Sequence, residues 1–194
     1  MPPLTTEAPA LLRPTLPETS VVPTAEDDSI RPHRAVQPAG FADGTPAQAF
    51  LCAALFSTPA DVAAVLRFVD DLDFEKPGQR LIVEAIRALS LAGEPTDAVC
   101  VGDWLARNGK LTQDAKYELT CAITAGANSD ALRHYATAVV ADSFREAYAS
   151  LGEALLESAG VMPEHDLLPQ LVEGGTRLRN HSRRLDALRG HDNN

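Results

Sequence analysis

The stretch DFEKPGQRLIVEAI, residues 73–86, decides how this chain folds. Pro77 has no amide hydrogen, which costs nothing in the first turn of a helix, so a helix is predicted to begin there. Apolar residues then recur at intervals of three and four, the spacing of one helical face: Leu81, Ile82, Ala85, Ile86 and Leu89. Gly93 follows as a stop signal. The stretch therefore predicts a helix that packs against other elements by one face.

The same pattern of cap, apolar stripe and stop recurs on both sides of this helix. Short helices are predicted to start at Thr45-Pro46, Ser57-Thr58-Pro59, Asp97 and Thr112, the fifth of the five reaching about Thr124. Two long helices follow, one from Asn128 or Ser129 to about Ser158 and one from about Glu164 to Leu188. Gly174-Gly175 is predicted to be a weak point in the last helix, because glycine is a poor helix former.

The composition favours helices throughout. Apolar residues make up 45 % of the 194 residues and aromatic residues only 5 %. Strands on pleated faces prefer Val, Ile and aromatic side chains, and no sustained alternation of apolar and polar residues occurs. We therefore predict an all-α fold, a globular bundle of five to six short helices followed by a long helical hairpin.

Four regions are predicted along the chain. Eight of the chain's 14 prolines lie before residue 40, and residues 1–44 show no apolar periodicity. This composition indicates a disordered tail over residues 1–44. Residues 45–140 form a helical subdomain, and residues 141–189 form the hairpin. Residues 190–194 are predicted to be a disordered end.

The charge and the cysteines restrict the classes of function. The formal net charge of −10 repels phosphate backbones, so at most weak binding to nucleic acid is expected. Cys52, Cys100 and Cys121 are far apart and form no C-x-x-C pair, which is typical of small buried side chains in a reducing compartment. No run of about 18 apolar residues and no secretory signal is present, so a cytoplasmic location without membrane contact is predicted.

One segment superficially resembles a phosphate-binding loop. It runs from Gly102 through Gly109-Lys110 to Thr112. The motif needs four residues between its glycines, whereas this segment has six, and Leu111 occupies the position of the magnesium-binding Ser or Thr. A helix end at Gly109 is the favoured interpretation, and we expect neither ATP binding nor ATPase activity.

The other candidate sites are equally weak as sites of chemistry. Asp70, Asp71 and Asp73 form an acidic cluster that could hold magnesium, although a hydrophilic loop explains it as well. The five histidines show no spacing typical of metal ligands, and no serine-hydrolase elbow occurs. We therefore assign no catalytic, cofactor-binding or metal-binding residue, and an enzyme is not the favoured class.

The hairpin carries the strongest sign of association. Its leucine-rich stripe is longer than one pair of helices covers, which predicts a partner. The predicted partner-binding residues are Phe144, Tyr148, Leu151, Leu155, Leu167, Leu171, Leu178, Arg179, Arg183 and Arg184. The arginines admit two interpretations, a solvated helix end favoured by the helix dipole, or a surface for an acidic partner or for weak contact with DNA.

Several landmarks in their order and spacing resemble one known family. The residues are Asp73-Phe74, Pro77, Gln79-Arg80-Leu81-Ile82, Gly93-Glu94-Pro95-Thr96-Asp97, Val99 and Val101, Tyr117-Glu118-Leu119 and Tyr135 with Val139. Together they resemble the N-terminal domain of DnaB-type replicative DNA helicases over roughly residues 46–188. Gln79 replaces a histidine of the family pattern, and Val83 replaces an aromatic residue.

The resemblance implies a collar rather than a motor. In that family the hairpins pair into dimers, three dimers ring a hexamer, and the collar receives primase and loader proteins. The ATP-driven motor is a separate domain with no counterpart in this sequence, so unwinding does not carry over. We therefore expect a non-catalytic interaction and oligomerisation module of DNA replication, which binds primase, a loader or helicase subunits. The alternative is a small helical DNA-binding regulator that uses the fourth and fifth helices as a helix-turn-helix.

Overall fold

The structure, a computed structural model, describes residues 44–190, which contain seven α-helices and two 3-10 turns. The helices are α1 Pro46–Leu55, α2 Pro59–Leu66, α3 Pro77–Ala92, α4 Ala98–Arg107, α5 Gln113–Thr124, α6 Leu132–Val161 and α7 Glu164–Arg189. The 3-10 turns are Asp71–Asp73 and Ser129–Ala131. No strand occurs within residues 44–190, and the all-α prediction is confirmed.

The helix starts follow the capping signals of the sequence. Thr45 and Gln48 form a reciprocal capping box at α1, and the Thr58 hydroxyl accepts the amide hydrogen of Asp61 at α2. Asp97 accepts two amide hydrogens at α4, and Thr112 caps α5. Each cap satisfies donors that the first turn of a helix leaves without partners. These local bonds explain why the helix starts could be predicted from the sequence.

Helix α3 lies at the centre of the bundle and packs against α1, α2, α4 and α5. Ile82 and Ile86 on this helix are fully buried. Phe74, just before α3, meets Phe50 of α1 with 5.7 Å between the ring centroids. The apolar stripe predicted for α3 is therefore the centre of the core.

A buried polar group ties α3 to α5. Glu118 accepts hydrogen bonds from Gln79 Nε2 and Lys76 Nζ, both at 2.8 Å. Close by, a Cβ at Gly78 would lie 2.7 Å from the carbonyl oxygen of Asp114, so the two backbones touch. Gln79, which departs from the family pattern, thus pairs with a buried carboxylate instead of remaining unsatisfied.

The long hairpin is formed by α6 and α7, and its base belongs to the core. The first half of α6 buries Val139 and Val140, and the end of α7 buries Leu185 and Leu188 in the same cluster. Arg133 reinforces this contact by donating to the carbonyl oxygens of Ala187 and Leu188, at 2.9 Å each. The division at residues 140 and 141 stays a prediction, and core packing crosses it.

Helix α7 is continuous through Gly174 and Gly175, where a weak point was predicted. A Cβ at Gly174 would lie 2.3 Å from Leu151 Cδ1, whereas a Cβ at Gly175 would meet open space. Gly174 therefore allows the two helices of the hairpin to approach each other closely. The helix is unbroken at both glycines, and whether they weaken it stays a prediction.

The predicted tail, residues 1–44, and the predicted end, residues 190–194, lie outside the described residues except for Gly44 and Gly190. Over residues 44–190, no helix is both long enough and apolar enough to cross a membrane.

Candidate interaction surface on the hairpin

The predicted hairpin stripe divides into a half-buried part and an exposed part. Phe144, Leu151, Leu155, Leu167 and Leu178 are half-buried, at spacings typical of residues on the contact side of paired helices. By contrast, Tyr148 is 66 % exposed and Leu171 is 48 % exposed. The half-buried members hold the hairpin together, and only the exposed members are available to a partner.

Four exposed apolar residues of the hairpin were not in the predicted set. They are Leu156, Val161, Leu168 and Val172. Leu156, Leu168 and Val172 directly follow the predicted stripe residues Leu155, Leu167 and Leu171. A sequence with adjacent apolar residues does not say which of the two faces the neighbouring helix, because that choice depends on how the helices rotate against each other.

The exposed residues fit one apolar face of the hairpin. Tyr148 and Leu156 are two turns apart on α6, and Leu168, Leu171 and Val172 lie within one turn and a half on α7. In an antiparallel pair, positions that follow the contact positions by one residue, here Leu156 and Leu168, lie on the same side of both helices. We call Tyr148, Leu156, Leu168, Leu171 and Val172 the apolar face.

The charges of the hairpin are separated along its length. Residues 146–176, the tip, carry six carboxylates and no Lys or Arg: Glu146, Glu153, Glu157, Glu164, Asp166 and Glu173. The base of α7 instead exposes Arg177, Arg179, Arg183 and Arg189. Of these, Arg177 pairs with Glu173 at the border of the two regions. The hairpin is therefore acidic at the tip and basic at the base.

Arg184 differs from the other arginines in the predicted partner-binding set. Its guanidinium donates to both carboxylate oxygens of Asp73, whose side chain has no exposed surface. It also donates to the carbonyl oxygen of Phe68. The charge of Arg184 is thus paired inside the molecule, and this residue does not belong to the candidate surface.

The acidic loop is explained by contacts within the protein. Asp70 accepts the amide hydrogen of Leu72, and Asp71 pairs with Arg87 at 2.8 Å. Asp73 accepts from Ser143 Oγ and from Arg184. No cluster of three or more possible metal ligands occurs within residues 44–190. These aspartates cap a turn and join elements, which favours the hydrophilic-loop interpretation.

The segment that resembles a phosphate-binding loop is built as a helix. Gly102 lies within α4, so its amide belongs to the helical backbone instead of to an open loop. Gly109 follows the helix in the left-handed region with φ of 65°, as expected for a helix end. The geometry offers no wrap of successive free amides around a phosphate.

An open groove that the sequence did not indicate lies between the turn after α1, helix α2 and the start of α6, with a volume of about 490 Å³. Phe56, Asp61 and Asp130 stand at its rim. Arg133, the cation among its lining residues, is engaged by the carbonyl oxygens at the end of α7. The Thr58 hydroxyl in its lining donates to the Asp61 carboxylate at 2.7 Å and accepts the Asp61 amide hydrogen, so this pair belongs to the cap of α2.

Comparisons with known proteins agree with this architecture. The family model described as the DnaB-like helicase N terminal domain matches residues 45–141. The replicative DNA helicase DnaB of Leifsonia xyli subsp. xyli (strain CTCB07) is 30 % identical over 117 residues, which are 60 % of this chain and 21 % of that protein. The chain thus spans about a fifth of the length of that relative.

Among solved structures, the N-terminal domain of DnaB helicase from Mycobacterium tuberculosis is similar, with a TM-score of 0.57 and 22 % identity. The match covers 70 % of this chain and 94 % of that one. At this identity the likeness shows a shared fold.

Proposed function

The chain belongs to the family of DnaB-like helicase N-terminal domains, and on that premise we propose that it is a non-catalytic interaction and self-association module of DNA replication. Its partners in this proposal are a second copy of itself and a replisome protein such as primase, a helicase loader or a helicase motor. The proposed location is the cytoplasm.

The observation that carries this proposal is the apolar face. Leu156 is 79 % exposed and Leu168 is 66 % exposed, on a hairpin whose tip extends beyond the core. Apolar surface removed from water contributes about 25 cal/mol per Å² to association. A face of five large apolar residues on two adjacent helices therefore favours binding to another apolar surface.

The separated charges favour one orientation of a second copy. If two hairpins pack antiparallel about a two-fold axis, the acidic tip of each copy lies on the basic base of the other. If instead tip meets tip, six carboxylates face six carboxylates, which opposes association. The apolar face would supply affinity, and the charges would set the orientation.

Sedimentation velocity of matched variants tests this proposal. The half-buried stripe residues Phe144, Leu151, Leu155, Leu167 and Leu178 form the seam of the hairpin. Leu156→Asp with Leu168→Asp places charge on the apolar face without changing this seam, and we expect it to convert a dimer at tens of micromolar into a monomer. Leu91→Asp is the control, because Leu91 is 76 % exposed at the end of α3, away from the hairpin. A wild-type monomer at this concentration, or equal loss of dimer in the control, contradicts the proposal.

The proposal also requires that the isolated chain lack nucleotide binding. Calorimetric titration with ATP and magnesium should show no heat of binding, because the glycine-containing segment forms α4 and its end. A micromolar dissociation constant for ATP would contradict the non-catalytic assignment.

The alternative, a DNA-binding regulator, has less support from α5. A recognition helix needs positively charged side chains that face the major groove of DNA. Helix α5 has Lys116 as its one Lys or Arg, and its Glu118 is buried. A salt-dependent shift of short duplex DNA in a gel at submicromolar protein would favour the regulator over the interaction module.

A further inference from the structure

A single buried carboxylate joins three elements where the hairpin meets the bundle. Asp73, in the 3-10 turn Asp71–Asp73, accepts from Ser143 Oγ of α6 at 2.9 Å and from Arg184 Nη2 of α7 at 3.0 Å. Its Oδ2 accepts from the amide of Asp70 and from Arg184 Nη1. We call Asp73, Ser143, Arg184 and the neighbouring His181 the junction.

His181 takes part in the junction in a defined protonation state. Its Nδ1 lies 3.1 Å from Arg184 Nη2. A guanidinium only donates hydrogen bonds, so Nδ1 must carry a lone pair and the imidazole must be neutral, with its proton on Nε2. The ring also packs against Phe144, at 6.4 Å between ring centroids. Protonation of His181 would therefore occur at Nδ1, the same atom that accepts the hydrogen bond from Arg184.

The groups around His181 act in opposite directions. On α7, Arg184 opposes a positive imidazole, whereas Asp73 and Asp70 from the turn favour one. Helix α6 contributes the uncharged Phe144 ring and the Ser143 hydroxyl. Burial is the largest influence, followed by Arg184, and together they hold the pKa of His181 below its usual value of 6.5.

We propose that the junction is a latch operated by one proton, which fixes the base of α7 to the bundle while His181 is neutral and loosens it when His181 is protonated. Protonation removes the acceptor for Arg184 and places a second cation beside the guanidinium. The new N–H also competes with Arg184 for the carboxylate of Asp73. The latch is therefore closed above pH 6.5, and it loosens as the pH falls through the lowered pKa, because the loosened state binds the proton more tightly.

Long-range ¹H–¹⁵N spectra of the imidazole rings in the wild-type protein test the starting state. At pH 7.5 we expect His181 as the Nε2–H tautomer, and its titration midpoint should lie below 6.5. The backbone amides of Asp73, Ser143 and Arg184 should shift with that same midpoint, although they belong to three elements. An Nδ1–H tautomer, or a midpoint of His181 not shared by these amides, would overturn the latch.

A pair of variants on α7 tests the cause. His181→Asn offers an amide oxygen near the position of Nδ1 and does not take up a proton, so the amides of the junction should no longer titrate near neutral pH. His165→Asn removes an exposed histidine of the same helix and should leave their titration unchanged.

Amide hydrogen exchange of residues 181–188 supplies a second readout. After correction for intrinsic exchange, the wild-type protein should exchange about three- to tenfold faster at pH 5.5 than at pH 7.5, as expected for local opening. His181→Asn should show no such acceleration. If His181→Asn showed the same acceleration at pH 5.5 as the wild type, the proposal would be overturned. If this variant does not fold, the tautomer of His181 in the wild-type protein decides the question.

Discussion

At the scale of single residues, the clearest case is the charge of Asp73. Its side chain is completely buried, while that of Arg184 is 22 % exposed, so the pair is shielded from most solvent screening. A buried ion pair adds little compared with apolar residues of the same shape, but the loss of one member leaves a charge without a partner. The pair is therefore a point at which the fold is vulnerable.

We predict that Arg184→Met lowers the free energy of unfolding by about 3 kcal/mol, because it leaves the Asp73 carboxylate buried and unpaired. Urea unfolding followed by circular dichroism measures this change. The double variant Asp73→Leu with Arg184→Met should recover part of the loss, since both charges are then gone. If the loss of unfolding free energy in the double variant equalled the sum of the losses in the two single variants, the two residues would act independently.

A second prediction at this scale compares two adjacent glycines. Gly175→Ala should raise the free energy of unfolding by about 0.5–1 kcal/mol, because alanine is the better helix former and the added methyl group meets open space. Gly174→Ala should not show this gain, since its methyl group would displace Leu151. Thermal melts of both variants check the difference, and an equal gain at both positions would contradict the close approach of α6 and α7.

At the scale of elements, the hairpin combines a base packed into the core with a continuous helix that contains an internal proline. Pro169 is exposed within the second turn of α7, where it removes an amide donor from the helical ladder. The half-buried seam and the junction hold α7 in place in spite of this lost bond. We therefore expect the distal part of the hairpin to be less stable than its base.

We predict that Pro169→Ala stabilises α7, by about 1–3 kcal/mol, because the helix regains a hydrogen bond and loses a steric clash. Amide exchange of residues 165–173 should slow accordingly, while exchange in α3 stays the same. Faster exchange near residue 169 in the variant would indicate that the proline ring makes a stabilising contact.

At the scale of the whole molecule, the separation of charge makes a prediction about salt. If acidic tips lie on basic bases, raising the salt from about 0.1 M to 1 M shortens the screening length from about 10 Å to 3 Å and should weaken self-association about three- to tenfold. Sedimentation equilibrium at both salt concentrations measures it. Tighter association at high salt would mean that the contact is apolar and that charge does not orient it.

Charge reversal offers a sharper test of the same orientation. Arg179→Glu with Arg183→Glu makes the base acidic, and Glu153→Arg with Glu157→Arg makes the tip less acidic and partly basic. Each protein alone should associate more weakly than the wild type, because tip and base then carry charges that no longer complement each other. An equimolar mixture should regain association. If the mixture associated no more strongly than each variant alone, antiparallel docking of the hairpins would be excluded.

Most of the local structure follows from short-range signals in the sequence. Caps such as Thr45, Thr58 and Asp97 bind amides within three residues of themselves, so the helix starts could be predicted from the sequence. The α3 stripe could be predicted as well, because it requires only helical periodicity. The order of landmarks around Asp73-Phe74 and Pro77 also indicated the family that the comparison over residues 45–141 confirmed.

Which side of each helix is covered depends on packing between elements that are distant in the sequence. Arg184 and Asp73 are 111 residues apart, and no periodic pattern reveals that their charges meet. Likewise, the rotation of α6 against α7 selected Leu155 over Leu156 and Leu167 over Leu168 for the seam. Spacing along one helix fixes its own face, but which of two adjacent residues is buried depends on the position of another helix. That position is set by packing across the whole bundle.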